Sequence, residues 1–331
     1  MLRNWWYTAL ASSRLRSRPV AARVLDTDLV LFRDRDGQPH ALLDRCCHRG
    51  VQLSRGRVIG GELACRYHGW RYDGTGLCTL VPSLAPGVLP PSGARVPAWP
   101  CAERDGYIWV WMGEREPDPV LPAGIAGFGE RRWVQGSIAM RCSYRSGIEN
   151  NLDWCHAPFA HPLTHPQYYL TRIWGLRQQE YEVRRTPLGM KVFAPPTASE
   201  RDPVPTGPPV LLEFQLPNRV GVAFRGPTPM TIIMHFVPTG PASCRLEWLR
   251  SKMLAVGPRA RWSRREPVVF RQDRVLLESA QPWYDQESGF ERSVPPDAST
   301  LLARRIIDLA ARDEWDTDNG FPARRVVTTR A

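Results

Sequence analysis

Four residues between positions 46 and 68 have the types and spacing of metal ligands. In CCHRGVQLSRGRVIGGELACRYH, Cys46-x-His48 and Cys65-x-x-His68 form two pairs separated by 16 residues. Each loop would offer one thiolate and one imidazole. Such mixed pairs suit a two-iron, two-sulfide cluster in which one iron keeps both cysteines and the other takes both histidines, a Rieske centre. Neutral imidazoles in place of thiolates raise the reduction potential. Gly50, Gly60, Gly61 and Gly69 sit where a tight ligand loop must turn or approach an inorganic core closely. A zinc site is the competing reading, but zinc fingers pair like with like, as C-x(2 to 4)-C and H-x(3 to 5)-H.

A second constellation lies in ENNLDWCHAPFAH at 149–161, where Asp153, His156 and His161 run D-x-x-H-x(4)-H. Two histidines five apart do not share one face of a regular helix. The segment is therefore predicted to distort or end near Pro158, bringing both imidazoles to one point. Two histidines and one carboxylate make a facial triad that leaves positions open on ferrous iron. Asp273, in VVFRQDRVLLESAQ, is the leading carboxylate, because Phe270, Asp273, Leu277 and Ala280 fall on one helical face and the acid projects from an apolar stripe. A buried unpaired carboxylate is costly, and a metal would satisfy it. On periodicity alone an N-cap, or an ion pair with Arg271 or Arg274, explains Asp273 equally well. Glu278 and Asp285 are the other acids in reach. Asp153 suits a supporting role, accepting the second N–H of a metal-bound imidazole. His165 reads more readily as a surface histidine than as a ligand.

The 331 residues that must position these groups suit two domains, each with its own core. Hydrophobic residues make up 43% of the chain, and no run approaches the length of a membrane span. The start, MLRNWWYTALASS, lacks the apolar core of a secretion signal. A soluble cytoplasmic protein is expected. The eight cysteines then indicate metal binding or burial rather than disulfides. That leaves Cys47, Cys78, Cys101, Cys142, Cys155 and Cys244 as free thiols. The formal charge of +11 comes from scattered arginines without a nucleic-acid motif. It fits a solvated basic surface, toward which an acidic electron donor would be steered.

Strands are expected at 3–10, 20–24, 29–33, 40–44 and 107–112, with Asp36-Gly37 as a hairpin turn. These make a small antiparallel β domain with the cluster at its loop tips. Residues 82–100 read as irregular, and EREPDPVLPAG at 114–124 as the boundary between domains at 1–118 and 125–331. The second half shows a strand at 133–142, further strands around 180–194, 210–225, 230–237 and 244–254, and helices near 262–280 and 298–312, an α+β pattern. The tail beyond Asp316 reads as frayed. No G-x-G-x-x-G follows a strand, so electrons from NAD(P)H would need a separate reductase. Phe193, Phe214, Phe224, Met230, Met234, His235 and Phe236 could enclose an apolar or aromatic substrate, or be ordinary core.

The strings CCHRG and CRYHGWRYDGTGLC resemble the cluster loops of Rieske-type aromatic-ring oxygenases. Cytochrome-complex Rieske proteins carry two further cysteines, and Arg66 and Tyr67 stand where one would fall, so the oxygenase branch is the better match. The run of Asn150, Asp153, His156 and His161 is similar to the iron motif of the oxygenase catalytic subunits, about 90 residues beyond the cluster. RNWWYTAL, ERDGYIWVW and FRQDRVLLE look most like the branch that includes vanillate and dicamba O-demethylases. The resemblance implies a Rieske domain holding a [2Fe-2S] cluster on Cys46, His48, Cys65 and His68. It implies a helix-grip catalytic domain with ferrous iron on His156, His161 and Asp273, in a homotrimer assembled head to tail. Asp153 would accept from His156 and, across the subunit interface, from His68. The implied function is a terminal oxygenase that hydroxylates or oxidatively demethylates a small aromatic or polycyclic substrate, fed by a ferredoxin or reductase. A Rieske electron carrier with a non-catalytic binding domain is the alternative.

Overall fold

The computed structural model describes residues 1–118, 121, 124, 125, 128, 133–153, 155–162, 178–193, 210–224, 230–251, 267–284, 291–314 and 322–330. The chain divides into two compact units: Arg3–Phe128 with Val237–Gly240, and Met1–Leu2 with Gly129–Phe236 and Pro241–Ala331.

The first unit is built from short strands: β1 (Trp5–Ala11), β2 (Val20–Val24), β3 (Thr27–Arg33), β4 (Pro39–Leu43), β5 (Arg57–Ile59), β6 (Glu62–Ala64), β7 (Arg71–Tyr72), β8 (Cys78–Leu80), β9 (Ala98–Trp99), β10 (Cys101–Arg104) and β11 (Tyr107–Met112). They form three sheets in the orders β1-β11-β10, β2-β3-β4-β9 and β5-β6-β7-β8. The continuous apolar run of β3 has a simple cause. Side chains alternate faces along a strand, and Leu29 and Leu31 enter one core with Tyr7, Leu10 and Val110, whereas Val30 and Phe32 enter a second with Leu63, Cys46, Cys65 and Tyr72. Both faces are buried, so neither is polar. The second core is the floor beneath the two cysteine-histidine loops. The turn after β3 forms where expected: Asp34 Oδ1 accepts from the N–H groups of Asp36 and Gln38, and Gly37 takes φ +81°.

The second unit carries an antiparallel sheet of β12 (Trp133–Met140), β13 (Gln178–Thr186), β14 (Gly189–Phe193), β15 (Val210–Gln215), β16 (Arg219–Phe224), β17 (Met230–Gly240), β18 (Ser243–Ser251) and β19 (Arg324–Arg330). Their order is β12-β18-β17-β16-β15-β14-β13-β19. Among the described residues the helices are α1 (Tyr144–Leu152), α2 (Ala157–Ala160), α3 (Val268–Tyr284) and α4 (Ala298–Ala311). With the sheet they give the α+β class. Two expectations need correction. The segments around 180–194 and 210–225 are each a hairpin of two strands, not one strand. The tail is not frayed at 324–330, where β-branched Val326, Val327, Thr328 and Thr329 pair with β13 and bury Val327.

Helix α1 is fastened to α3 and α4 at several points. The Arg141 N–H donates to Glu278 Oε1 at 3.0 Å and the Ser143 N–H to Gln281 Oε1 at 2.5 Å. The Tyr284 hydroxyl donates to Glu149 Oε1 at 2.5 Å, and Arg304 Nη2 to Glu149 Oε2 at 2.6 Å. The helix also lies close to the sheet, because a Cβ at Gly147 would stand 2.4 Å from the Phe236 ring.

Candidate metal centres

The two loops of the first unit repeat one backbone design. Cys46 donates its N–H to the Val51 carbonyl at 2.9 Å and accepts from the Gly50 N–H at 2.9 Å. Cys65 donates to the Trp70 carbonyl at 2.8 Å and accepts from Gly69 at 3.0 Å. In both, a glycine four residues after the cysteine closes the loop, at φ +73° for Gly50 and +72° for Gly69. A Cβ there would be strained, which explains the glycines of C-C-H-R-G and C-R-Y-H-G. The twin loops face their side chains together. The His48 and His68 rings lie 4.6 Å apart, and Trp70 stacks on His48 at 4.5 Å and 7°.

This donor set fits a Rieske cluster on local grounds. Cys46 and Cys65 are buried at 3% and 4% exposure, while His68 is exposed. His48 Nδ1 is buried without a hydrogen-bond partner, an arrangement that an iron would satisfy. Burial, then His68, holds His48 below its usual pKa, so it is neutral, as coordination requires. Burial, opposed by the Tyr67 N–H but joined by Cys46, raises the Cys65 thiol. Tyr72, fully buried, places its hydroxyl 3.0 Å from Cys46 Sγ.

In the second unit a break occurs, but at Asp153 rather than near Pro158, which instead opens the next helical turn. Helix α1 ends at Asp153, whose backbone is extended and whose carboxylate Oδ1 accepts the Cys155 N–H at 2.7 Å. His156 then caps the single turn α2, with Pro158 in its first turn, and His161 follows that turn. The break turns both imidazoles toward Asp273 on α3. Asp273 Oδ1 lies 3.0 Å from His161 Nε2 and 3.6 Å from His156 Nε2. One ligand atom from each residue lies within 4.8 Å of the others. The opposite ring nitrogens are engaged: His156 Nδ1 donates to the Asp153 carbonyl at 2.9 Å, and His161 Nδ1 to Gln272 Oε1 at 3.0 Å. These bonds orient both rings and turn each Nε2 toward the Asp273 carboxylate.

Charge follows the geometry. Burial lowers the His156 pKa, but the Asp153 and Asp273 carboxylates outweigh it and lift the value to about 9. Asp273, against the effect of burial, is held below the usual carboxylate range by His156 and His161. A divalent cation would take the place of the imidazolium proton. Two histidines and a carboxylate, with outer atoms already bonded, fit a mononuclear iron site.

Asp153 differs from its sequence-based role in one respect. Its carbonyl oxygen, not its carboxylate, receives the His156 N–H; Oδ2 stands 3.5 Å from Nδ1. Glu278 is not a ligand candidate, since it pairs with Arg141. His165 and Asp285 lie outside the described residues. Phe214, Met234, His235 and Phe236 are buried sheet residues. Gln272 and Tyr72 were not singled out by the sequence. Gln272 precedes a candidate ligand on a helix, and nothing in its type or spacing says which ring it meets. For Tyr72 the signal was a hydroxyl beside the CRYHGW loop.

Residues 5–100 match the model of the Rieske [2Fe-2S] domain. The chain is 40% identical over 167 residues to the oxygenase component of dicamba O-demethylase from Stenotrophomonas maltophilia, which covers 48% of this chain and 48% of that protein. It is 42% identical over 166 residues to the chloroplastic chlorophyllide a oxygenase of Chlamydomonas reinhardtii, 49% of this chain and 25% of that protein. These matches span a quarter to about half of the relatives' own length. A crystal structure of dicamba monooxygenase bound to dicamba superposes with TM-score 0.78 at 24% identity, covering 95% of this chain and 98% of that one, a likeness of fold. Residues 5–100 thus match a Rieske [2Fe-2S] domain, and the second unit gathers two histidines and a carboxylate that could hold a metal ion. The likeness over the whole chain is one of fold, and the likeness of sequence to oxygenase components covers about half of the chain.

Proposed function

We propose that this chain is the terminal oxygenase of a Rieske-type system, a monooxygenase that hydroxylates or oxidatively demethylates a small aromatic or polycyclic substrate. The observation that carries this reading is the convergence of His156, His161 and Asp273, with one ligand atom from each within 4.8 Å of the others. In it, Cys46, His48, Cys65 and His68 hold the [2Fe-2S] cluster, and His156, His161 and Asp273 hold ferrous iron. When bound, the cluster supplies single electrons and the iron supplies the dioxygen chemistry. The protein's own work is positional. Gln272 and the Asp153 carbonyl orient the two imidazoles, and His161 and Asp273 are buried at 3% and 5% exposure, leaving His156 as the side open to the cavity.

Residues 1–118 then serve as the Rieske domain and 125–331 as the catalytic domain. A cavity of about 610 Å³ reaches His156 between Phe159, Ala160, Val275 and Leu276; its apolar wall supports a small apolar substrate. A second, of about 860 Å³, is lined by Asp153, Leu277, Trp283 and Tyr284 and by Glu149 and Glu291 paired with Arg304. The cluster loops display the exposed Arg45, Arg49 and Arg66 beside exposed His68. In the proposed head-to-tail trimer the exposed His68 of one copy donates to the Asp153 carboxylate of the next. A separate ferredoxin or NAD(P)H-dependent reductase supplies the electrons. Among the described residues no helix is long and apolar enough to cross a membrane, and we place the protein in the cytoplasm.

Iron and acid-labile sulfide analysis of anaerobically purified protein tests the reading. About three irons and two sulfides per chain support it. About two of each, unchanged by added ferrous iron and with no substrate-dependent oxygen uptake in the presence of a reductase, point instead to an electron carrier.

A further inference from the structure

Tyr72, at the end of β7, places one hydroxyl oxygen against two adjacent sulfurs. It lies 3.0 Å from Cys46 Sγ and 3.3 Å from Cys47 Sγ. A phenol has one hydrogen to give and lone pairs with which to receive. The sulfur of Cys46, as a cluster ligand, is a thiolate and only accepts. The Tyr72 hydrogen is thereby committed to Cys46. The contact with Cys47 then has a single polarity, in which the Cys47 thiol donates to the Tyr72 oxygen.

We propose that Cys47 raises the reduction potential of the cluster through Tyr72, as the outer donor of a relay running Cys47 to Tyr72 to Cys46. The inference rests on the assignment of Cys46 as a ligand. Hydrogen bonds to the ligand sulfurs are among the levers that set the potential of an iron-sulfur centre. Reduction adds one electron to the cluster, and a donor that draws negative charge from Cys46 favours the reduced form. Donors in a chain polarise one another, so a thiol behind the phenol strengthens the bond that the phenol makes. Cys47 is a positioning residue: it acts on Tyr72, and the enclosed phenol passes the effect inward. Its place between Cys46 and His48 is what permits this. The backbone turn that aims residues 46 and 48 at the cluster leaves residue 47 at the loop's outer side, exposed, with its sulfur still in reach of Tyr72.

The test is a redox titration of the cluster in the full-length holoprotein, read by visible circular dichroism. It compares the wild type with Cys47→Ala, Cys47→Ser, Tyr72→Phe and the double variant Cys47→Ala/Tyr72→Phe. The relay requires Cys47→Ala to shift the reduction equilibrium about threefold toward the oxidised form, close to 30 mV downward for a one-electron couple. Cys47→Ser, which keeps a donor, should stay near the wild type. Tyr72→Phe should shift at least as far as Cys47→Ala, and in that background the alanine should add nothing. An unmoved potential in Cys47→Ala overturns the relay, as does a shift that persists in full when Tyr72 is phenylalanine. Iron and sulfide are counted for each protein. A wild type without the cluster would remove the ligand assignment itself, whereas a complete cluster with an unmoved potential removes only the relay.

Discussion

His161 is held at both ring nitrogens by neighbours in sequence: Nδ1 donates to Gln272 Oε1 at 3.0 Å, and Nε2 lies 3.0 Å from Asp273 Oδ1. Adjacent helical residues point about 100° apart, and the imidazole spans the angle between them. The pairing separates a ligand from its support. Asp273→Ala is expected to lose the mononuclear iron and all turnover while keeping the visible spectrum of the Rieske cluster. Gln272→Leu keeps the three ligands and is expected to weaken iron binding by about 10- to 100-fold. Iron titration of the chelated protein, followed in parallel with the cluster spectrum, checks both. Full iron content in Asp273→Ala would remove its role.

Asp153 pairs its carboxylate Oδ2 with His156 Nδ1 at 3.5 Å, while the backbone carbonyl takes the N–H. Asp153→Asn keeps the carbonyl and a side-chain oxygen for the Cys155 N–H. Both metals should therefore be retained, and electron transfer between them should fall by orders of magnitude. Rapid mixing of the reduced cluster with substrate and oxygen measures the rate of cluster reoxidation. A wild-type rate would exclude the carboxylate from the path.

Much of both centres was legible because each is written in local sequence. The four candidate cluster ligands sit in two short loops whose glycines occupy the positive-φ positions that close them. His156 and His161 cap the two ends of a single helical turn that has Pro158 in its first turn. Asp273 lies more than a hundred residues away, and its helical period exposed the apolar stripe but not the partner. What the sequence withheld was of that long-range kind: the second strand of each hairpin at 178–193 and 210–224, the pairing of β19 with β13, and the ring met by Gln272. Such choices are made by tertiary contact, and residue type alone does not encode them.

Arg304 joins α4 to α1 by holding Glu149 through Nε at 3.0 Å and Nη2 at 2.6 Å, while the Tyr284 hydroxyl of α3 donates to the same carboxylate. Glu149 is 8% exposed. Removing Arg304 strands most of a carboxylate charge in a partly buried place, at a cost of about 2–4 kcal/mol once discounted for the side of Arg304 that faces solvent. Arg304→Ala should lower the denaturation midpoint accordingly. Because α1 leads into both histidines and α3 carries Asp273, iron affinity should fall with it. Glu149→Gln with Arg304→Met, an uncharged pair, is expected to recover part of the stability. Equal unfolding midpoints for Arg304→Ala and the wild type would remove the clasp from the energetics of the fold.

His235, on β17, is 1% exposed, and burial, with the Arg219 charge beside it, pushes its pKa down to about 3. An unfolded chain returns it to about 6.5. Between those values the unfolded state binds a proton that the folded state refuses, so stability rises with pH across the window and is lost as pH falls from about 6.5 toward 3. The slope from this one group approaches about 1.4 kcal/mol per pH unit. His235→Gln, which does not titrate, should flatten the acid limb of stability against pH in metal-free protein, even if it lowers stability at neutral pH. Urea unfolding at half-unit steps from pH 7 to pH 5 measures both limbs. Parallel curves for the two proteins would show that another group carries the acid sensitivity.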